Sequence, residues 1–452
     1  MSQLALLGGE PLVRPGTDLK GAWPPVHNDD IAAVVRILEK GEFWGRRSPE
    51  VQAFEEEYAS TIGTRYCVAM GSGTAALHAA VEASGVLPGD EVIVPALSFL
   101  ASATAILHQL GIPIFVDIDP TTFNLDPASI EERITDRTRA IMAVHLHGLP
   151  CDMDAIGEIA RRRGLLVIED AAQAQIAEYH GRKVGSLGDM AGVSIMPVKN
   201  LATCGEGGLF VTNELAYRNK ADMLKMFGES LDEGDGPGRQ YNALTLGYNY
   251  RFNPIQAAFA RTQLRRLPQY TETIVGNAEA LTAQLGEIPG VIPPLVPPGR
   301  THVYHHYRVT FDPAAAGVDL PAGIFRQAIM DAMAAEGVPL RLYQTTPLPG
   351  QELFQKRDGF GYGIPWSLPQ ADPRATARGY AIQDFPATLR VLESTAIVGQ
   401  GSGSHTFFYR DRVELYQRAF SKVFENLDAV VQHAVRIAPD YQPPWQGPAR
   451  LS

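Results

Sequence analysis

Cysteine is scarce in this chain: Cys67, Cys151 and Cys204 are the only three in 452 residues. An odd number, scattered without the close spacing of metal ligands, argues against a disulfide framework and fits a reducing compartment. Long apolar runs are missing too. No stretch approaches about 18 uninterrupted apolar residues, so no membrane-spanning helix is expected, and Met1 to Glu10 lack the basic segment and apolar core of a secretory leader. Basic clusters are likewise absent, and the formal charge of -11 argues against nucleic acid or an anionic membrane surface as the main partner. These absences leave a cytoplasmic globular protein acting on small molecules. Its apolar share of 45% and charged share of 20% are ordinary for that class, and its length allows two sizeable cores.

Residues 1–28 are rich in proline and glycine without a period, which predicts an arm lying over the body or over a partner subunit. Two helical patterns follow: Asp29 to Lys40, with Ile31, Val34, Val35 and Leu38 on one stripe, and Ser48 to Ile62, with Ser48 as N-cap. From Tyr66 the rhythm changes to short apolar runs. Strands are predicted at Tyr66 to Met70, Glu91 to Pro95, Pro113 to Asp117, Ala140 to His145, Leu165 to Glu169, Ala191 to Ile195 and Gly208 to Thr212. Helical patterns fall between most of them, at Thr74 to Ser84, Phe99 to Leu110, Pro127 to Ile134 and Met153 to Arg163. Alternation of this kind, with continuously apolar strands, predicts an α/β fold whose seven-stranded, largely parallel sheet is covered on both faces.

Further helices are predicted at Glu214 to Met226 and from Pro254 through Leu285, the second connecting to another domain, with a polar loop from Gly228 to Gly238 between them. A proline-rich run, Ile288 to Pro298, follows. His302 to Phe311 and Val338 to Tyr343 then read as strands, Leu320 to Glu336 and Arg410 to Val435 as helices, and 355–384 as irregular. The predicted division is an arm (1–28), a large domain (29–268) and a smaller C-terminal α+β domain (269–452).

In a parallel sheet of this type ligands bind at the carboxyl ends of the strands. Gly73, Phe99, His147, Asp170 and Lys199 all fall at or just after such ends. Met70-Gly-Ser-Gly-Thr74 opens a helix as a phosphate cradle does, Asp170 closes a buried strand, and Lys199 sits on a short loop before the turn Gly205-Glu206-Gly207-Gly208. An anion site, a buried acid and an amine are what pyridoxal phosphate requires. Taken singly, each has a plainer reading: Asp170 as a helix cap, Gln173 as a polar first-turn residue, Phe99 as core packing, Asn249 as a turn former, and Lys199 as a solvated loop residue.

Eight ordered motifs resemble the DegT/StrS family, the aminotransferases that make amino sugars and aminocyclitols. They are Gly73-Thr74-Ala75-Ala76-Leu77, Gly89-Asp90-Glu91-Val92-Ile93-Val94-Pro95, Val144-His145-Leu146-His147-Gly148, Asp152-Met153-Asp154, Glu169-Asp170-Ala171-Ala172-Gln173, Ser194 with Lys199, Gly205-Glu206-Gly207-Gly208 and Gly247-Tyr248-Asn249-Tyr250-Arg251. The resemblance implies the aspartate-aminotransferase-like fold, type I of the pyridoxal phosphate enzymes. It implies that Lys199 bonds the cofactor's aldehyde and shuttles the proton. Asp170 would pair with the ring nitrogen, Gln173 would bond the phenolic oxygen, and Phe99 would stack on the ring. Gly73, Thr74, Ala75 and Ser194 would hold the phosphate, and Asn249 would reach the cofactor of the other subunit of a homodimer. His147, His305 and Tyr343 are candidate substrate contacts.

The implied reaction moves an amino group from L-glutamine or L-glutamate to a keto-cyclitol or keto-sugar, in aminocyclitol or amino-sugar antibiotic formation. Pro349 stands where a small-domain motif of the family often ends in histidine, and the arm and the 355–384 segment look more like the cyclitol and aminobenzoate-forming branch. A nucleotide-linked keto-sugar is the alternative acceptor. A dehydratase on the same scaffold would replace Lys199 by histidine, and a non-catalytic regulatory homologue would have degraded cofactor residues. No metal is expected, since His145 and His147 alternate along a strand and neither they nor His305 and His306 have an acidic or cysteine partner at ligand spacing.

Overall fold

The computed structural model describes residues 3–44, 48–229, 242–374, 380–400 and 405–446. Its centre is a seven-stranded sheet built from β1 (Tyr66–Met70), β2 (Glu91–Pro95), β3 (Ile112–Val116), β4 (Thr138–Val144), β5 (Leu166–Asp170), β8 (Met190–Ser194) and β9 (Gly208–Thr212), with a short hairpin, β6 (Glu178–Tyr179) and β7 (Arg182–Lys183), outside it. The strand order is β1-β9-β8-β5-β4-β2-β3. Only β9 runs against its neighbours. All five residues of β2, β3, β8 and β9 are buried, the mark of strands covered on both faces.

The helices that cover the sheet are α1 (Asn28–Lys40), α2 (Pro49–Ile62), α3 (Gly73–Ala83), α4 (Ala101–His108), α5 (Met153–Arg163), α6 (Leu215–Lys225) and α7 (Pro254–Leu285). α3 packs on the sheet through small side chains, and Ala75, Ala76, Ala79, Ala80 and Ala83 are buried. α7 begins with Pro254 at its first turn and carries Pro268 inside.

Because β9 is antiparallel, it starts at the rim where β1 and β8 end. Gly208 is opposite both Met70 and Ser194. A Cβ at position 208 would lie 2.1 Å from the Ser72 carbonyl oxygen, so only glycine lets the start of β9 pass the turn into α3. This rim is where the candidate site lies.

A second core gathers around the antiparallel sheet β10 (Val291–Ile292), β11 (Tyr307–Phe311) and β12 (Thr395–Val398), α8 (Ala322–Ala335) and the helices Arg410–Glu425 and Leu427–Ile437. Leu4 and Leu19 of the N-terminal segment join it, and Glu336 pins that segment by accepting the amides of Ala5 (2.8 Å) and Leu12 (3.2 Å). Leu348, Phe354, Trp366, Tyr380 and Phe385 instead pack into the core of the large sheet.

Several elements differ from the sequence expectation. Pro127 to Ile134 forms two short 3-10 turns, Pro127–Ser129 and Glu131–Arg133. His302 to His306 is not strand, since Tyr304 takes a φ of 47 that breaks pleating, and pairing begins at Tyr307. Val338 to Tyr343 makes a single bridge, Arg341 with Ile397. The last helix is two, separated at Asn426. The stripe Ile31, Val35 and Leu38 of α1 faces solvent, and its buried residues are Asp30, Ala33 and Ile37. Most of the Gly228 to Gly238 loop, from 230 on, lies outside the described residues.

Candidate active site

β5 ends in Asp170, and the chain there is fixed on both sides: Val144 of β4 and Gly192 of β8 are its register partners. The side chain is buried and well supplied with donors. Ser102 Oγ donates to Oδ2 at 2.6 Å and is itself linked to Ser98 Oγ at 2.7 Å, while the Ala172 amide donates to Oδ1 at 3.1 Å. These donors fix the position of the carboxylate inside the protein. Ser102 was not among the residues singled out from sequence; its spacing of four from Ser98 in the first turn after β2 is the signal that was there to read.

Gln173 follows in the same loop. Its Oε1 accepts the His147 amide at 2.8 Å, so its amide nitrogen is the free end, and that end donates to the Tyr343 hydroxyl at 3.3 Å. His145 and His147 face apart. His145 Nε2 bonds Glu169 Oε2 at 2.9 Å and its Nδ1 accepts the Cys151 amide, a buried structural link. His147 accepts from Arg308 instead, and burial pushes its ring well below the usual histidine range.

Lys199 lies on the loop after β8. The residue is partly exposed but its amine is enclosed, and burial pushes the amine down to about 8 against the opposing pull of the Asp170 and Glu206 carboxylates. The loop is braced from two sides. Trp23 Nε1 donates to the Lys199 carbonyl at 3.0 Å, and His305 Nδ1 meets Asn200 Oδ1 at 3.1 Å. His305 is buried against this loop, its ring centre 4.4 Å from that of His306 with the planes tilted by 44°.

The first turn of α3 completes the rim. Ser72 caps the helix, taking the Ala75 amide at 3.1 Å, which leaves the first-turn amides of Gly73 and Thr74 without an acceptor inside the helix. A Cβ on Gly73 would lie 2.6 Å from Ser194 Cβ, so this cradle exists because residue 73 has no side chain. Gln175 holds the Ser194 carbonyl at 2.6 Å. Phe99 is 58% exposed on the same rim. Asn249 is exposed and bridges Met226, close to the Tyr250 carbonyl that takes the Gly71 amide at 2.8 Å. A helix start with free amides, a hydroxyl, a supported carboxylate, an amide and an enclosed amine fit pyridoxal phosphate group by group.

The model of the DegT/DnrJ/EryC1/StrS aminotransferase family matches residues 25–372. The chain belongs to this family. L-glutamine:2-deoxy-scyllo-inosose aminotransferase of Streptomyces fradiae is 34% identical to it over 415 residues, covering 88% of this chain and 94% of its own. GDP-perosamine synthase of Caulobacter vibrioides is 45% identical over 259 residues, covering 57% of this chain and 67% of its own. Among solved structures, NtdA of Bacillus subtilis with bound cofactor PMP has a TM-score of 0.72 at 25% identity, covering 92% of this chain and 88% of that one. The DegT/StrS family is a family of pyridoxal-phosphate-dependent sugar and aminocyclitol aminotransferases with the type I fold, and this chain is an aminotransferase of that class. Among the described residues no helix is long and apolar enough to cross a membrane.

Proposed function

We propose that this aminotransferase takes the amino group of L-glutamine or L-glutamate and delivers it to a keto-cyclitol, with Lys199 carrying both the cofactor and the proton. The observation that carries the reading is the enclosed Lys199 amine, drawn down to about 8, within electrostatic reach of a carboxylate that Ser102 and the Ala172 amide support.

Pyridoxal phosphate, when bound, supplies an aldehyde that links to amines and a ring that draws electrons from the carbon beside that nitrogen. Lys199 Nζ would hold the aldehyde at rest and, once free, would take the proton from the donor's α-carbon and give one to the acceptor's former carbonyl carbon. An amine lowered toward neutrality can do both. Asp170 would pair with the ring nitrogen, and Ser102 orients its carboxylate for that task. Gln173, its oxygen committed to the His147 amide, turns its NH2 toward the phenolic oxygen. Gly73 and Thr74 at the start of α3, with Ser194, would hold the phosphate; Ala75, expected to share that role, has its amide taken by Ser72, and Phe99 would cover the ring face. Tyr343 and His147 border the substrate space, while His305 acts through the lysine loop.

The working unit in this reading is a cytoplasmic homodimer, with Asn249 reaching the partner's cofactor. The exposed stripe Ile31, Val35 and Leu38, with Phe43 and Trp44 beyond it, supports an apolar surface for a second copy. The keto-cyclitol is preferred because the inosose aminotransferase aligns along nearly the whole chain. A nucleotide-linked keto-sugar is the second reading, favoured by the higher identity to GDP-perosamine synthase. The test supplies the glutamine-treated enzyme with 2-deoxy-scyllo-inosose or a GDP-linked keto-sugar and follows the amine product by mass spectrometry. Product from the cyclitol alone supports the first reading, and product from the sugar nucleotide alone replaces it with the second.

A further inference from the structure

His78 is buried on α3, one turn beyond Thr74, and both of its ring nitrogens are engaged. Nε2 lies 3.2 Å from Gln109 Oε1, just past the end of α4, and Nδ1 lies 3.3 Å from the Tyr250 hydroxyl. Gln109 Oε1 can only accept, so Nε2 carries the ring proton and Nδ1 is the lone pair that takes the Tyr250 O–H. Burial pushes the ring down to about 4 and lifts the Tyr250 hydroxyl above its usual range, which keeps the acceptor bare and the donor protonated.

Tyr250 belongs to an extended segment laid between the end of α6 and the turn into α3. The Tyr248 amide donates to the Leu224 carbonyl at 2.7 Å and the Tyr250 amide to the Lys225 carbonyl at 3.1 Å. On its other side the Tyr250 carbonyl takes the Gly71 amide at 2.8 Å, and Arg251 bridges Met70 at the end of β1. The rings of Tyr248 and Tyr250 stack 5.0 Å apart with their planes within 6°, and His78 meets Tyr248 edge-on at 5.2 Å. With both rings turned toward His78, Asn249 between them faces the other way and is exposed.

These bonds close a ring. The path runs from His78 through the Tyr250 hydroxyl and carbonyl to the Gly71 amide, and on through Ser72 to Gly73 and Thr74, the first residues of the helix that carries His78 itself. We infer that His78 is a positioning residue for the cofactor's phosphate: by holding Tyr250 it sets where the Gly71 to Thr74 turn stands, and with it the free amides of Gly73 and Thr74. The imidazole touches no ligand in this account. The inference rests on the reading of the α3 start as the phosphate cradle.

The test titrates the full chain, freed of cofactor, with pyridoxal phosphate and with pyridoxal, which lacks the phosphate, and reads binding by fluorescence. Wild type should bind the phosphorylated form more tightly. Tyr250→Phe keeps the stacked ring and removes the hydroxyl; it should weaken pyridoxal phosphate roughly fivefold and move pyridoxal less than about twofold. His78→Asn places an amide oxygen where Nδ1 stands and should keep most of the affinity for pyridoxal phosphate. His78→Gln places its amide where Nε2 stands, keeps Gln109 as partner, and should lose that affinity as Tyr250→Phe does. If His78→Gln keeps what His78→Asn loses, the route through Tyr250 is overturned. Equal losses for both ligands in Tyr250→Phe mean a general loosening and overturn the inference too, as does a Tyr250→Phe variant that binds both as wild type does. Should the His78 variants fold poorly, Tyr250→Phe, at a half-buried position, carries the test alone. A wild type that binds pyridoxal as tightly as pyridoxal phosphate would sink the cradle reading itself, an outcome distinct from a discriminating wild type matched by Tyr250→Phe.

Discussion

The indole of Trp23 donates a 3.0 Å hydrogen bond to the backbone carbonyl of Lys199, joining residues 176 positions apart. Trp23 is itself held edge-on by Phe408 at 5.4 Å and Tyr270 at 5.9 Å, and the Tyr409 hydroxyl fixes the neighbouring Ala22 carbonyl at 2.6 Å. The N-terminal segment thus braces the lysine loop directly.

Trp23→Phe keeps most of the ring packing and removes the donor. A hydrogen bond of this kind contributes about 1 kcal/mol net, so the half-reaction with L-glutamine should slow roughly fivefold while the fold survives. Stopped-flow absorbance measures it. An unchanged rate would mean that the brace has no bearing on the lysine.

Ser102→Ala takes from Asp170 the short bond to Oδ2. Charge-assisted bonds contribute about 1.5–3 kcal/mol, so the carboxylate should lose its fixed position and cofactor affinity should fall roughly tenfold or more. Ser98→Ala, one bond further out, should have a smaller effect. Equal losses for the two variants would contradict this order.

Much of the fold is legible in local pattern. Tyr66–Met70, Glu91–Pro95 and Gly208–Thr212 coincide with prediction because short apolar runs bounded by glycine, proline or charge leave few alternatives. Pattern fails where distant contacts decide. Among the described residues the extended stretch around Arg341 pairs with Ile397 alone, and Thr395–Val398, four residues without a turn signal, becomes a strand because Tyr307–Thr310 lies alongside. The site divides the same way. Asp170 and Ser194 close their strands, and Lys199, Gln173 and Gly73 follow strand ends, each within a motif. Trp23 and Arg308 act through partners far along the chain, and no spacing announces them; Ser102 is announced only by its spacing from Ser98.

Gly73→Ala would place a Cβ 2.6 Å from Ser194 Cβ and 3.2 Å from its Oγ. The variant should fold and lose most of its cofactor affinity, read by fluorescence titration. Adding Ser194→Gly removes both nearest side-chain atoms and should restore part of that affinity. If the double variant binds no better than Gly73→Ala alone, the clash is not the cause.

Burial pushes His78 down to about 4 and His302 to about 3. In the unfolded chain each takes a proton below about pH 6.5, so the unfolded state binds more protons there and gains on the native state. Their contribution to stability is complete above that pH and is lost toward pH 4, at about 1.4 kcal/mol per pH unit for each ring. Urea unfolding at pH 7 and pH 5 checks the sign, and His78→Gln should flatten the dependence. A stability that rose on acidification across this window would refute it.

The central claim is that Lys199 carries the cofactor and the proton. Absorbance of the purified protein with pyridoxal phosphate, before and after L-glutamine, tests it beside Lys199→Ala. Wild type should show the visible band of the lysine-linked cofactor, forming faster as pH rises toward about 8 and more amine is neutral, and L-glutamine should bleach it. In the variant the band should be missing and amino transfer lost. A variant that kept the wild-type band and its bleaching would contradict the assignment of Lys199.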